Sequence, residues 1–147
     1  MKDIIFIYKD KFLGNDFESL ATNICNILRQ HLTLPKPIEI ETISMGPSIY
    51  GQLLVDTRFK KRIRINSDLA LNELKYPLVH ELIHLHQITI NQLDSRRDGS
   101  YLWEGQPYKI RDAHKLSYAQ YQELPWELDV AQKQHKFLKL LQENNIN

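Results

Sequence analysis

Two histidines and a glutamate stand at a spacing that suits metal-assisted hydrolysis. The chain reads His80-Glu81-Leu82-Ile83-His84, an HExxH pentapeptide inside an apolar run with helical spacing. On an α-helix the two imidazoles lie one turn apart on the same face, so both can reach one metal ion. Glu81 lies at the edge of that face, where its carboxylate can hold a metal-bound water and accept a proton from it. The pentapeptide therefore indicates a metal site with Glu81 as a general base.

A metal site of this kind needs a third protein ligand, because catalytic zinc has three protein ligands plus water. Three acids, Glu123, Glu127 and Asp129, cluster where Pro125 is expected to begin a second helix. Glu127 falls in the first turn of that helix, and a helix packed against the HExxH helix would present its carboxylate to the metal. We predict Glu127 as the third ligand beside the two histidines. Glu123 and Asp129 are alternatives, as ligands or as groups that orient a ligand histidine, and all three acids could simply complement the helix dipole.

Length and composition set the bounds for the rest of the reading. The 147 residues predict one domain, residues 1–147, and a hydrophobic share of 42% is typical of a globular protein. A net charge of +1 does not favour a nucleic-acid partner. Cys25 is the only cysteine, which excludes an intrachain disulfide and a cysteine-based zinc site. Neither a signal peptide nor a membrane span is expected, so we predict a cytoplasmic protein with no membrane contact.

The elements that would position these residues can be read in outline. A helix is expected to open near residue 15, and the HExxH run predicts a helix over about 77–92 with Pro77 in its first turn. A final amphipathic helix is expected from Pro125 to about residue 141, and Gly105 and Pro107 predict a turn or hairpin within 101–110. Together with strands, this pattern predicts an α+β domain with a small twisted sheet. The strands, rich in β-branched and aromatic residues, are expected over 4–8, 38–43, 50–56 and 58–65.

These motifs resemble those of the zincin metallopeptidases, in the gluzincin style, where the third ligand is a glutamate on the helix after the HExxH helix. More narrowly, the chain is similar to small, often phage-encoded, predicted peptidases, and this resemblance implies a virion-associated location as the alternative to the cytoplasm. Those proteins carry HExxH, then a Trp-x-Gly…Tyr segment, then a Pro-Trp-Glu-x-Glu-Ala-like motif. Asp129 and Val130 depart from the last motif, in which glutamate and alanine are expected at these positions. If the metal ligand of the family were the second acid of the motif, the ligand in this chain would be the shorter Asp129. The matching segments within residues 73–135 are His80–His84, Trp103–Tyr108 and Pro125–Val130.

The resemblance implies a zincin-like minimal metallopeptidase domain, with an HExxH active-site helix followed by a ligand helix. It implies Zn²⁺ as the cofactor, a protein or peptide substrate, and hydrolysis of a peptide or related amide bond by a metal-activated water with Glu81 as general base. A tyrosine just before the ligand helix, Tyr121 or Tyr118, would stabilise the oxyanion, and we take Tyr121 as the catalytic candidate. The alternative is that both tyrosines are packing aromatics.

The basic segment 58–65 has three interpretations, of which a nucleic-acid-binding patch has the least support because the chain as a whole is nearly neutral. Ile63 and Ile65 alternate with Arg62 and Arg64, as in a half-buried strand whose charged side protects a sheet edge from unwanted pairing. In zincins the edge strand beside the active helix commonly aligns an extended substrate, and this segment is our candidate for that strand.

A function of another class also stays open. The chain could be a catalytically silent zincin-fold structural or interaction protein, for example a component of a phage particle. Its short length leaves few residues for specificity pockets, so a protein partner or assembly could be needed to complete the cleft. The intact Glu81 favours the peptidase, because a purely structural metal site has no use for a general base. The same zinc-water chemistry also serves other amide hydrolases, including those that act on cell walls.

Overall fold

The computed structural model describes residues 3–55, 60–95, 100–109 and 116–146. Within these ranges the chain is a mixed α+β structure with small sheets, which confirms the expected fold class at that level. No helix among the described residues has both the length and the apolar character needed to cross a bilayer. The helices are α1 (Asn15–Arg29), α2 (Lys75–Thr89), α3 (Tyr118–Gln122) and α4 (Pro125–Glu143). The strands are β1 (Ile4–Tyr8), β2 (Ile38–Ile43), β3 (Gly51–Val55), β4 (Lys61–Asn66), β5 (Leu93–Ser95), β6 (Ser100–Trp103) and β7 (Gln106–Lys109).

The larger sheet has the strand order β1-β2-β4-β3. Strands β1, β2 and β4 are parallel, whereas β3 runs antiparallel to β4 and forms one edge of the sheet. One face of this sheet is apolar and forms a single core with α1, α2 and α4. The sheet residues at the centre of that core are fully buried: Ile38, Ile40, Ile63 and Ile65.

Strand β4 is an interior strand, so the prediction that segment 58–65 is the substrate-aligning edge strand is wrong. Its arginines do not guard an edge but pair with a buried carboxylate on β2. Arg62 Nη1 lies 3.0 Å and Arg64 Nε lies 2.6 Å from the carboxylate oxygens of Glu41. These ion pairs explain why a strand with neighbours on both sides still alternates apolar and basic residues. Residues 58 and 59 of the predicted strand lie outside the described residues.

Helix α2, which carries the HExxH sequence, is buried on most of its circumference. Its apolar side chains are at most 2% exposed at Leu78, Val79, Leu82, Ile83 and Leu85, because strands β3 and β4 and helices α1 and α4 pack around it. The helix ends before Asn91, whose φ of 59° is a conformation that asparagine tolerates.

Strand β3 comes close to the beginning of α2, and a glycine makes this approach possible. A Cβ atom added at Gly51 would lie 3.2 Å from the Arg64 carbonyl oxygen and 3.3 Å from Cβ of Pro77. Both contacts are tighter than ordinary packing, and the first is to rigid backbone. The missing side chain therefore allows the edge strand to lie directly beside the HExxH helix.

A second sheet of order β5-β6-β7 holds the start of α4 in place. Its β6–β7 hairpin turns at Glu104 and Gly105, both with positive φ, which confirms the hairpin expected there. The Trp126 ring stacks on Tyr101 with centroids 5.2 Å apart, and it meets Tyr108 edge-on at 5.7 Å. This aromatic contact fixes the first turn of α4, which carries the next residue, Glu127.

Candidate metal centre

His80 and His84 of α2 meet Glu127 of α4 where the two helices pack together. Oε1 of Glu127 lies 3.0 Å from Nε2 of His84, and its Oε2 lies 3.6 Å from Nε2 of His80. The three donor atoms all lie within 4.8 Å of one another. Among the residues that the structure describes, this is the group of His, Cys, Asp and Glu donors close enough to share an ion. The structure thus brings together the three residues that were predicted from the sequence as metal ligands.

The separations between these donors suit a small divalent cation. Zinc with tetrahedral ligands at about 2.0–2.1 Å places neighbouring ligand atoms roughly 3.4 Å apart. The observed separations, 3.0 Å to Oε1 of Glu127 and 3.6 Å to its Oε2, lie close to that value. Two imidazole nitrogens and one carboxylate oxygen also form a donor set that zinc accepts well. The three residues therefore offer a donor set of suitable chemistry, with no two ligand atoms more than 4.8 Å apart.

A buried glutamine on α2 determines which nitrogen of His84 is free. The Gln87 amide nitrogen donates to the Trp126 carbonyl oxygen at 3.0 Å and to a carboxylate oxygen of Asp129 at 2.8 Å. Its amide oxygen must therefore be the atom 2.9 Å from His84 Nδ1, so that Nδ1 is the donor. Nε2, which faces Glu127, is left as the ligand atom.

A glutamine on α4 does the same for the other histidine. The Gln134 amide nitrogen donates to the Tyr76 carbonyl oxygen at 3.4 Å, and its oxygen lies 3.1 Å from His80 Nδ1. Both histidines are thus oriented by an amide oxygen, the arrangement by which groups around a metal site fix its ligands. The sequence places Gln87 on the same side of the helix as both histidines, but this role was predicted for neither glutamine. The available signal was Gln87, which lies three residues after His84 on the same side of the helix.

The other two acids take different positions. Asp129 contacts Gln87 rather than a histidine, so it reaches His84 only through that amide. The hypothesis that it orients a histidine directly is therefore wrong. Glu123 is exposed at the end of α3 and is not among the donors that meet at the centre. Glu127 remains the acid in contact with both histidines.

Burial and mutual charge shift the ionisation of this group. Burial disfavours the charged form of each residue, and it lowers the pKa of His80. For the other pair the opposite charges and the hydrogen bonds together outweigh burial, so the pKa of His84 is raised and that of Glu127 is lowered. A carboxylate that stays charged at this depth is suited to a cation, which would replace the proton on His84 Nε2.

Glu81 lies beside the three ligands without joining them. It is only 7% exposed, and its burial, with a contribution from the charge of Glu127, raises its pKa to about 7 although His84 acts to lower it. A carboxyl group with a pKa near neutrality can both take and return a proton at physiological pH. Its position beside the three ligands makes Glu81 a candidate general base.

Of the two candidate tyrosines, one reaches the centre. The Tyr121 hydroxyl donates to Oε1 of Glu127 at 2.8 Å. Burial and the nearby carboxylates of Glu127 and Glu81 raise the pKa of Tyr121, so this hydroxyl keeps its proton and remains a donor. Tyr118, one helical turn earlier, is 77% exposed.

The centre opens into a cleft made of two adjoining cavities, and Gly51, Glu81 and Tyr121 line both. One cavity, of about 500 Å³, lies on the His84 side and follows the whole of β3. The other, of about 530 Å³, lies on the His80 side, next to Tyr76 and Gln134. The edge strand of the larger sheet thus forms one wall of a cleft with Glu81 at its middle.

Comparisons with known protein families, with curated proteins and with solved structures find no match for this chain.

Proposed function

We propose that this protein is a zinc-dependent metallopeptidase built on a zincin-like domain, and that it hydrolyses a peptide or related amide bond. The observation that carries the proposal is the convergence of His80, His84 and Glu127 with both histidine Nε2 atoms turned toward the carboxylate. A structural zinc site would use a fourth protein ligand. Here the buried residue beside the three donors is instead Glu81, which faces an open cleft.

The residues of the centre have separate tasks in this proposal. His80, His84 and Glu127 would hold the ion, which when bound supplies a Lewis acid that activates water and polarises the substrate carbonyl. Glu81 accepts the proton of the attacking water and returns it to the leaving nitrogen. The Tyr121 hydroxyl keeps its proton but has only one to donate, so in the reaction it would turn from Glu127 and donate its hydrogen bond to the negative charge that develops on the carbonyl oxygen.

Strand β3 supports a peptide as the substrate. Among the strands that the structure describes it is the last of its sheet, and the cleft runs along its full length from Gly51 to Val55. An unpaired edge offers backbone donors and acceptors that an extended peptide can satisfy by adding a strand. In this proposal β3 takes the aligning role that the sequence reading had given to β4.

The experiment that tests the proposal is elemental analysis of the purified protein beside His84→Ala and Glu127→Ala, with Glu123→Ala as the matched control. We expect about one zinc ion per chain in the wild type and in Glu123→Ala, and loss of zinc in the other two. If the wild-type protein takes up no zinc, even after zinc is added back, the proposed enzymatic function is overturned and a non-catalytic interaction protein remains. Zinc that persists in Glu127→Ala but disappears in Asp129→Ala would move the third ligand to Asp129.

Hydrolysis is then measured on casein and on cell-wall fragments, with and without a chelator. Casein cleavage that the chelator stops supports a peptidase, and release of products only from cell-wall fragments would reassign the substrate to another amide. A zinc-loaded protein that cleaves neither would contradict the catalytic role of the centre.

A further inference from the structure

One side of the cleft is formed by four uncharged side chains, which we call the apolar wall: Ile88, Leu93, Tyr101 and Trp126. They come from three different parts of the fold, namely α2, the β5–β6 pair and the start of α4, yet they line the same cavity as Glu81 and His84. The stacked rings of Tyr101 and Trp126 make part of this wall aromatic.

The apolar wall is not completely buried, unlike the side chains of the hydrophobic core. Leu93 and Trp126 are nearly buried, at 6% and 5% exposed, so they form the fixed base of the wall. Ile88 and Tyr101 are half-buried and keep apolar surface free toward the cavity. A substrate side chain that covered this surface would remove it from water, and the hydrophobic effect would then favour binding.

On the described lining of this cavity, charge is confined to the catalytic centre. Among the described residues that line it, the ionisable acids are Glu81 and Glu127, and no lysine or arginine is present. A charged side chain placed against the apolar wall would lose hydration without gaining a partner there. The wall therefore favours apolar substrate groups and disfavours basic or acidic ones.

Strand β3 would direct alternate side chains of a bound peptide toward this wall. Leu53 lies opposite Ile63, on the sheet face that packs against the core and α2, and Gly51 and Val55 share that face by the two-residue period of a strand. A peptide paired with β3 would place every second side chain on the same face. One of them would thus enter the cavity next to the bond held at Glu81.

We propose that this cleft selects extended peptides with a bulky apolar or aromatic side chain at one position beside the cleaved bond, and that the apolar wall binds that side chain. This inference rests on the proposed peptidase function and names the class of its substrate. The half-buried Ile88 is the residue through which the pocket's width can be changed, because it lies on α2 one turn beyond His84 and is not a ligand.

The test is cleavage of a randomised peptide library by the zinc-loaded protein, with the products sequenced by mass spectrometry. We expect leucine, methionine, phenylalanine or tyrosine to be enriched about ten-fold over lysine, arginine, aspartate and glutamate at one position beside the cut. Ile88→Phe should narrow the pocket and shift that position toward alanine and valine by a similar factor. Ile90→Phe is the matched control, because Ile90 is exposed just after α2 and does not line the cavity.

Several outcomes would overturn the inference while leaving the peptidase intact. These are cleavage with no preference at any position, a preference for charged residues, or the same shift in both phenylalanine variants. If no peptide is cleaved, the proposed function itself fails, and the pocket is then tested by binding alone. NMR titration with N-acetyl-phenylalaninamide should move the signals of Ile88, Leu93 and Trp126 more than N-acetyl-lysinamide does, and equal or absent shifts would reject the pocket.

Discussion

The amide oxygen of Gln87 lies 2.9 Å from Nδ1 of His84, within one turn of the same buried helix. The nitrogen of that amide extends to α4, where it donates to the Trp126 carbonyl oxygen and to Asp129. Gln87 therefore links the orientation of a histidine on one helix to the position of the neighbouring helix, which carries Glu127. Because Gln134 links α4 back to His80, the two helices are joined on both sides of the centre.

Replacement of Gln87 by leucine should weaken zinc binding by about 10–100-fold, the usual cost of losing a group that orients a metal ligand. The substitution removes the acceptor that keeps the proton on His84 Nδ1. It also leaves buried groups without partners, at about 1–3 kcal/mol, so the fold is checked by circular dichroism. Competition with a chromophoric chelator measures the affinity.

The half-buried Gln134 gives a second variant with a smaller structural cost. Gln134→Leu should also lower the affinity, and Gln142→Leu, on the exposed face of the same helix, should not. Equal affinities for all three leucine variants and the wild type would show that neither glutamine orients a ligand.

Glu81→Gln should keep both zinc and fold while lowering kcat by about 10²–10⁴-fold. The amide has the size of the carboxyl group but cannot take a proton from water. It also removes a carboxylate whose pKa is raised to about 7 by burial, so the variant should be at least as stable as the wild type. Steady-state hydrolysis and thermal denaturation are measured together, with the exposed Glu143→Gln as control. Undiminished hydrolysis by zinc-loaded Glu81→Gln would exclude Glu81 as the base.

Tyr121→Phe separates two roles of the same hydroxyl. If Tyr121 stabilises the oxyanion, kcat should fall by about 10²–10³-fold while zinc affinity changes little. If its hydrogen bond to Glu127 only positions that ligand, zinc affinity should fall and the activity per bound zinc should stay constant. Tyr118→Phe is the control, since that ring is 77% exposed on the same short helix. Normal values of both quantities in Tyr121→Phe would leave the hydroxyl without either role.

The parts of the centre that could be predicted are those fixed by short-range geometry. His80 and His84 meet because four residues make about one helical turn, whatever surrounds the helix. Glu127 was predictable because Pro125 marks the beginning of a helix and an acid follows in its first turn. Both rules use only a few neighbouring residues. Neither rule determines which side of α4 faces α2, and for that reason the contact of Gln134 with His80 could not be predicted.

The strand order was not predictable in the same way, because it depends on contacts between distant segments. The alternation of apolar and basic residues in β4 indicates only that one face of the strand is polar. An interior strand can have the same pattern, and here the basic side chains of β4 pair with Glu41 on the neighbouring strand β2. Strand β5 and helix α3 escaped prediction because they are too short for a periodic pattern. Even so, Ser117 and Gln120 form a capping box that marks where α3 begins.

Glu41 is nearly completely buried on β2, yet Arg62 and Arg64 keep it charged. Burial alone would raise its pKa, but the hydrogen bonds and charges of the two arginines outweigh burial and hold the pKa below its ordinary value of 4.5. A carboxyl group whose pKa is lower in the folded state stabilises the fold above its unfolded pKa. That contribution disappears as the pH falls through the folded pKa.

Glu41→Gln should therefore lower the free energy of unfolding at pH 7 by about 1–3 kcal/mol, the range for hydrogen bonds to a charged group. The difference from the wild type should shrink below pH 4.5, where the wild-type carboxyl group begins to take a proton in the unfolded state and then in the folded state. Urea denaturation across this pH range measures it. Glu39→Gln is the control, because Glu39 is 22% exposed and lies 3.6 Å from Arg62, so its loss should cost less. If the difference in free energy of unfolding between Glu41→Gln and the wild type stays constant down to the lowest pH measured, Glu41 stabilises the sheet through packing alone.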